Sequence, residues 1–366
     1  MKAVRVAALV GLALLPAAHL AGQEATGRAG AVTIGGRLHT QFATTSVDDG
    51  PPADIFQRRA RLEVDIRLGD RLDARVMPDF AGGRTALQDA YLRFRVAPAL
   101  RFSLGQFKRA FDLFELDSST ELPLVERDGR IPGLSDCPGV GSICSYSRLT
   151  EDLGFAGRDA GVRLDGRLTE TVSYEATITN GEGINVRDVN EGKSYSARVT
   201  VAATDRLAVG IGAALHDYFF DTPTAETDYA TALSVDAKLG RYRRGPLLMG
   251  SLVWGDNWLL AEDAGDTPPR FLTAQILGAW YQPMANEDGL LAGFEPMARL
   301  SLGDPDGDSA DDGGILFTPG LHVYFRNAFC EGAGCSRNRL GVNLDIYSPS
   351  QGSTQTSLKI MSYLYF

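Results

Sequence analysis

Apolar and polar residues alternate with a period of two along most of this chain, and this alternation constrains its fold more than any other feature. It begins near residue 31 and recurs in segments separated by clusters of Gly, Pro, Asp and Asn. A period of two is that of a β-strand whose two faces meet different environments. No amphipathic helical pattern persists beyond a few turns. The sequence therefore predicts a single all-β domain.

The segments predict about 16 strands, an even number as in single-chain bacterial outer-membrane barrels. Their connections alternate between tight turns, such as 97–99, and long stretches, of which 109–159 is the longest. Short periplasmic turns and long external loops produce this alternation in transmembrane β-barrels. The predicted strands are 31–45, 54–69, 70–80, 87–97, 100–108, 160–168, 171–180, 193–204, 206–216, 228–240, 245–258, 270–282, 290–302, 314–328, 338–348 and 355–366.

Each predicted strand keeps its apolar residues on one face. In 54–69, Leu62 and Val64 share one face, whereas Arg59 and Arg61 share the other. A soluble sheet would bury the apolar face in a core, but a barrel turns that face to lipid and its polar face to a wet lumen. About 16 such strands without helices would need two large packed sheets, whereas closure removes every edge. We therefore expect a transmembrane antiparallel β-barrel.

The first 21 residues predict a cleaved secretory signal peptide. Two basic residues precede an apolar run from Val6 to Leu15, and small residues follow it. The alternative is a first buried helix. Residues 22–366 then form the barrel, for which we expect the bacterial outer membrane as location. No later stretch approaches the roughly 18 apolar residues of a transmembrane helix, and a formal net charge of -10 argues against nucleic acid as a partner.

The last predicted strand ends on Phe366, with Leu364, Ile360 and Leu358 on the same face. A terminal Phe preceded by alternating apolar residues resembles the carboxy-terminal signature of outer-membrane barrels. The resemblance implies that the barrel-assembly machinery and the lipid bilayer are partners of the chain.

The four cysteines form two local pairs, Cys137 with Cys144 and Cys330 with Cys335, each closing a loop that contains glycine. In an oxidising compartment such pairs predict two short disulfides. Zinc is the alternative ligand, but neither pair has CxxC spacing and no His lies beside them. We expect no metal site, no cofactor and no catalytic residues, because the four histidines stand apart and no GxSxG is present.

Six short motifs lie between Phe56 and Arg130. They are FQRRARLEVD, DF, LQDAYLRF, GQFKRAF, SST and ER, and they span about a fifth of the chain. This stretch resembles the phosphate-selective porin O/P family. The resemblance implies a trimeric, 16-stranded outer-membrane porin whose third external loop folds into the lumen as a constriction. The longest connection, 109–159, follows the fifth predicted strand, where such a loop belongs.

Arginines line the predicted inward faces of strands two to six. Such a wall attracts anions and offers paired donors to oxyanions such as phosphate. The same faces carry carboxylates, so the alternative is a set of ion pairs that stabilises a wet wall. We favour Arg59, Arg61 and Lys108 as functional. The full set of predicted solute-binding residues is Arg59, Arg61, Arg75, Arg93, Lys108, Ser118, Ser119 and Arg127.

The predicted constriction is acidic: from Asp112 to Asp128 it carries six carboxylates against Arg127 alone. Opposite an arginine wall it would create a transverse field, so we expect a mild anion preference rather than strict phosphate selectivity. The leading interpretation is passive diffusion of small hydrophilic solutes, without chemistry. Two alternatives stay open, an outer-membrane barrel enzyme and a plugged structural or adhesive barrel, and single-channel conductance separates a pore from a plug.

We predict that both cysteine pairs are oxidised within themselves, because each loop is short and the envelope favours disulfides. Mass spectrometry of unreduced mature protein should find the crosslinks Cys137–Cys144 and Cys330–Cys335 and no alkylatable thiol. A crosslink between the two pairs would contradict this pairing.

Overall fold

A computed structural model describes residues 24–27, 30–48, 50–51, 53–218, 227–261, 266–285, 289–326 and 337–366. They form a closed antiparallel β-barrel of sixteen strands. The strands are β1 Gly30–Ala43, β2 Asp54–Leu68, β3 Leu72–Asp79, β4 Ala86–Ala97, β5 Leu100–Lys108, β6 Arg158–Arg167, β7 Val172–Thr179, β8 Ser194–Ala202, β9 Leu207–Tyr218, β10 Asp228–Gly240, β11 Pro246–Asp256, β12 Arg270–Trp280, β13 Leu291–Asp304, β14 Gly314–Phe325, β15 Arg339–Pro349 and β16 Gln355–Tyr365.

Six shorter elements complete the described secondary structure, and two of them are the 3-10 helices Ala81–Gly83 and Trp258–Leu260. Two extended segments, Glu24–Gly27 and Gln282–Pro283, pair with β1 and β13. Two helices, α1 Leu113–Leu116 and α2 Tyr146–Asp152, lie in the connection between β5 and β6. Within the described ranges, no helix has the length and apolarity needed to cross a membrane.

Each strand pairs with its neighbours in the chain, and β16 pairs with β1, where Ile360 lies opposite Phe42. This last pairing closes the sheet. The prediction of a 16-stranded antiparallel barrel is confirmed, and the observed strand boundaries lie within three residues of the predicted ones. The period-two pattern locates strands well because a shift of one residue would exchange the lipid face and the lumen face of the whole strand.

The connections separate the two rims of the barrel. One rim carries the tight turns after β2, β4, β6, β8 and β10, together with the longer connections 281–290 and 326–338. The other rim carries the longer loops, and the third of these, 109–157, is the longest. We call the two ends of the barrel the turn rim and the loop rim. The cysteines Cys330 and Cys335 lie outside the described residues.

The inward faces of the barrel differ between its two halves. Inward positions of β1 to β7 are mostly charged or polar, as Arg61, Asp65 and Arg93 illustrate. Inward positions of β9 to β16 include many buried apolar side chains, such as Met249 and Phe271. Water cannot solvate such a face without cost, so protein must cover the apolar half of the lumen.

Gly105, from the GQFKRAF motif, shows what one motif residue does. Its φ is +131°, a conformation that side-chain-bearing residues rarely adopt. A Cβ atom there would lie 2.2 Å from the carbonyl oxygen of Ala90 on the neighbouring strand. Glycine at this position therefore serves the close pairing of β4 and β5 rather than solute binding.

The alternation predicts that the outward face of β2 contacts lipid. Leu62→Arg, near the middle of the strand, should lower the free energy of unfolding by about 2–4 kcal/mol, because a charge at the bilayer midplane is poorly solvated. Leu68→Arg, on the same face at the end of the strand, is the matched control and should cost at most about 1 kcal/mol. Urea titration in lipid vesicles, followed by heat-modifiable gel mobility, measures both. Equal losses would show that this face does not lie against hydrocarbon.

Candidate permeation path

The connection 109–157 packs against one half of the lumen wall. Its apolar side chains, including Phe114, Leu149 and Phe155, form a buried cluster with inward residues of β9 to β13 such as Met249 and Phe271. The disulfide Cys137–Cys144, predicted from the sequence, lies in this segment. The segment therefore brings its own hydrophobic core into the barrel and covers the apolar half of the wall.

Asp112 organises the entry of this segment. Its carboxylate accepts hydrogen bonds from Phe114 N at 2.8 Å, from the Tyr146 hydroxyl at 2.9 Å and from Thr150 Oγ1 at 3.0 Å. It thus caps α1 and ties it to α2, as side chains at helix N-termini do. Burial raises the pKa of Asp112 above its usual range.

Inward side chains of β13 to β16 hold the segment by its backbone. Arg299 donates to the carbonyl oxygens of Glu126 and Arg127, at 3.2 and 2.6 Å, and Asn343 Oδ1 accepts a hydrogen bond from Val125 N at 2.6 Å. The Tyr363 hydroxyl donates to the carbonyl oxygen of Leu124 at 3.1 Å. Charge-assisted hydrogen bonds are among the stronger ones, so this strip of loop is firmly positioned.

The buried cations of this anchor have carboxylate, carbonyl or aromatic partners. Asp345 is almost fully buried, accepts a hydrogen bond from Arg299 at 2.8 Å and also pairs with Lys359. Arg339 donates to the carbonyl oxygen of Thr120 at 3.2 Å and lies 4.0 Å from the ring centre of Tyr363. The anchor therefore buries three cations without leaving them unsolvated.

Three cavities follow one another along the opposite, charged half of the lumen. The loop-side cavity has a volume of about 500 Å³, the middle cavity about 620 Å³ and the turn-side cavity about 430 Å³. The middle and turn-side cavities share lining residues, among them Asp65, Arg75, Tyr91 and Arg93. The open space in the barrel therefore runs along β1 to β6.

A cluster of charges separates the loop-side cavity from the middle cavity. A β-bulge in β2 makes Arg58 an extra residue in the pairing with β1, and both Arg58 and Arg59 face Glu126 of the loop. Arg61 pairs with Asp79 at 2.7 Å beside them. Burial alone would raise the pKa of Glu126, but Arg58 and Arg59 outweigh it and hold this pKa at about 2. The loop carboxylate here is thus ionised and already paired.

A second loop carboxylate, Glu115, lies among Lys108, Arg127 and Arg158. Burial would raise its pKa, but Arg127, Lys108 and Arg158 together hold it at about 2. Lys108 also donates to the carbonyl oxygen of Asp117 at 3.1 Å, and so stabilises the end of α1. Much of the predicted negative charge of the loop is therefore neutralised by the wall it faces.

All eight predicted solute-binding residues line the middle cavity. Their surroundings differ. Arg59 and Arg61 face Glu126 and Asp79, and Arg75 pairs with Asp65 at 2.7 Å. Lys108, at the end of β5, and Arg127, in the loop, both contact Glu115. The loop serines are also partnered: the Ser118 hydroxyl hydrogen bonds with Thr120 at 2.8 Å, and Ser119 Oγ accepts a hydrogen bond from Arg37 at 3.4 Å.

Arg93 is the exception among the predicted arginines. Its Nε donates to Ser103 Oγ at 3.2 Å and its guanidinium lies 4.9 Å from the ring centre of Tyr91. Among the described residues it has no carboxylate partner within ion-pair distance. It lines both the middle and the turn-side cavity, and its charge is thus available to a passing solute.

Arg163, on an inward face predicted to carry arginines, also lines the middle cavity. Sequence reasoning missed three further cations there, Arg37, Arg158 and Arg337. Arg37 and Arg158 lie on the inward faces of β1 and β6, where the same alternation would have found them. Arg337 precedes β15 at the turn rim, and no pattern along the chain places it beside β1.

The chain resembles known proteins in both its sequence and its fold. A family model described as "Phosphate-selective porin O and P" matches residues 32–241, more than half of the chain. No curated protein matches the chain.

Several solved structures resemble the whole barrel. The outer membrane channel DcaP of Acinetobacter baumannii has a TM-score of 0.63 at 14% identity, covering 95% of this chain and 100% of its own. Salmonella typhi OmpF, in complex with daunomycin, has a TM-score of 0.60 at 11% identity, covering 93% and 100%. Vibrio cholerae OmpT, in its trimer form, has a TM-score of 0.58 at 14% identity, covering 92% and 99%. At these identities the likeness concerns the fold.

We predict that removing the Arg299 side chain makes segment 109–157 more accessible to protease. Arg299→Met removes two donors to loop carbonyls, each worth about 1.5–3 kcal/mol as a hydrogen bond to a charged group. Trypsin should then cleave after Arg127 or Arg130 faster than in the parent protein, in detergent micelles at neutral pH. Arg270→Met is the matched control, since Arg270 pairs with Asp256 at 2.9 Å and stacks on Trp254, away from the loop. Equal cleavage rates in all three proteins would mean that Arg299 does not hold the loop.

Proposed function

The chain belongs to the phosphate-selective porin O and P family, and on that premise we propose that small hydrophilic solutes diffuse along the charged half of its lumen with a mild preference for anions. Its family and barrel fold make it a channel of the bacterial outer membrane. The observation that supports the route is the division of the lumen. Segment 109–157 covers the apolar half, whereas cavities follow one another along β1 to β6.

We further propose that segment 109–157 is the constriction of this channel. It starts at the loop rim, and its residues Leu116, Ser118 to Glu121 and Arg127 line the middle cavity opposite the wall arginines. Its own core and its backbone anchors keep it in place, so the size of the opening is set by a rigid element rather than by a mobile one.

The mild degree of the anion preference follows from the ion pairs. Ten cationic side chains line the middle cavity against five carboxylate side chains, which favours anions. Further carboxylates lie just behind the lining, since Asp79, Glu115 and Glu126 pair with the cations in front of them. The excess of positive charge is therefore small, and Arg93 is its clearest contributor.

The assembly and export of the chain complete the proposal. Residues 1–21 act as a cleaved signal peptide, and the strand ending at Phe366 is the segment that the barrel-assembly machinery recognises. The family resemblance implies a trimer, and OmpT, a structural neighbour, is described in a trimer form. We therefore propose a homotrimer with one pore in each chain.

Single-channel recording in a salt gradient tests the proposal. Arg93→Gln removes a charge that no carboxylate neutralises, so the reversal potential should move toward that of cations. A unit charge about 7 Å from an ion contributes about 0.6 kcal/mol in a water-like dielectric, or roughly a threefold change in the permeability ratio. The change should shrink at 1 M salt, where the Debye length is about 3 Å.

The matched control is the double variant Arg61→Gln with Asp79→Asn, which removes a neutral pair from the same wall. It should leave the reversal potential close to that of the parent. An Arg93 variant that behaves like this control would refute the assigned role of Arg93, and a parent protein without conductance would refute the pore itself.

A further inference from the structure

A separate cavity of about 290 Å³ opens at the loop rim, outside the three cavities of the lumen path. It lies between α2, the start of the connection 180–193 and the end of β9. We call it the rim cavity. Of the sequence motifs, GQFKRAF alone contributes to its described lining, through Arg109, and the proposed passage of solutes does not use this cavity.

Carboxylates dominate the lining of the rim cavity. Glu151, Asp152, Glu182 and Asp217 contribute to it, and Arg109 is the one cation among the described lining residues. The charge of Arg109 is already paired, with Asp159 at 2.6 Å. Asp152 also pairs with Arg148, and Glu151 lies 4.0 Å from Arg127. The negative charge that no described ion pair neutralises therefore belongs to Glu182 and Asp217.

Asp217 is the most informative of these carboxylates. It is 3% exposed, and its Oδ1 accepts a hydrogen bond from Ser194, whereas its buried Oδ2 has no hydrogen-bond partner. The charge of Lys193 also acts on Asp217, but its ammonium group donates a hydrogen bond to Asp188 Oδ2, at 2.5 Å. A buried carboxylate oxygen without a donor is costly, and Asp217 is one of the residues that line the rim cavity.

Two further features show what kind of donor is missing. Asn190 Oδ1 also lines the cavity as a buried acceptor without a partner. Burial, together with Asp217 and Asp188, raises the pKa of Glu182, as expected where carboxylates lie close to one another. Arg109 and Lys193 pair with Asp159 and Asp188. Among the described residues, Asp217 Oδ2 and Asn190 Oδ1 are therefore left without a positively charged hydrogen-bond donor.

An aromatic wall bounds the same cavity. The rings of Tyr218 and Trp258 stack with centroids 5.3 Å apart and planes 19° apart, and Trp258 Nε1 donates to the carbonyl oxygen of Leu153 at 3.0 Å. Aromatic faces beside carboxylates attract organic cations through cation–π contacts. No group of three or more His, Cys, Asp and Glu within the described ranges is arranged to hold a metal ion, which favours an organic cation.

We propose that the rim cavity binds the primary ammonium group of a small organic amine, with Asp217 Oδ2 and Asn190 Oδ1 as acceptors and the Tyr218–Trp258 wall beside the alkyl chain. An ammonium group donates three hydrogen bonds and carries the charge that the carboxylates lack. The cavity has room for a diamine of a few carbons. The binding of the amine is independent of the pore function, because it is measured without conductance.

Isothermal titration of the detergent-solubilised, full-length mature protein with 1,4-diaminobutane at low ionic strength tests this. We expect saturable binding of one diamine per chain and no saturable heat with 1,4-butanediol, the uncharged molecule of the same shape. Asp217→Asn should raise the dissociation constant at least tenfold, and Asn190→Ala should raise it severalfold. Asp308→Asn, an exposed carboxylate in another loop of the same rim, is the control and should change it less than twofold.

The channel current of Asp217→Asn should equal that of the parent, which shows that the variant is folded. If that variant fails to fold, Asn190→Ala carries the same test, because Asn190 lies in a connecting loop. Absence of saturable diamine binding to the parent would overturn the site. Equal weakening by the Asp217 and Asp308 variants would overturn it too, since the diamine would then respond only to net charge.

Discussion

Backbone pairing in a medium without water is the constraint on which this structure depends. An unpaired N–H or C=O group costs several kcal/mol in hydrocarbon, so a sheet can cross the membrane only if it has no edge. Here β16 pairs with β1, and the pairing extends to the last residue: Phe366 and Gly36 exchange two backbone hydrogen bonds, of 3.0 and 3.2 Å. Closure then fixes which side of every strand faces lipid, and with it the composition of the lumen.

A barrel of sixteen strands encloses more space than its inward side chains fill, and this chain uses that space unequally. One half holds segment 109–157 and its core, and the other half stays open and charged. The loop is held mainly by its carbonyl groups, through Arg299 and Arg339. Every residue type has a carbonyl group, so the anchors set the path of the backbone and leave loop side chains such as Ser119 and Glu121 to face the cavity.

The period of two was sufficient to predict the strands and which of their residues face inward, because parity along a strand decides what faces the lumen. It was not sufficient for the charges. Arg58 reaches Glu126 only through a bulge, which reverses the parity of one residue. Ion-pair partners such as Arg61 and Asp79 lie on different strands, and their contact depends on register. The expectation that each strand keeps its apolar residues on one face is wrong for β11, whose inward face carries Leu247, Met249 and Val253. This signal was overlooked, and it matters because an apolar lumen face must be covered by protein.

The paired arginines give the physical reason why the anion preference that we propose is mild. Arg75 with Asp65 and Arg163 with Glu175 join adjacent strands, so each guanidinium is held in place by a carboxylate of the same wall. A paired charge presents a dipole whose field falls off faster with distance than that of a single charge, and salt weakens it further. The electric field at the centre of the path therefore comes mainly from the few charges that have no partner of opposite sign. Removing a charge without a carboxylate partner, such as that of Arg93, changes this field appreciably, whereas removing a complete ion pair changes it little.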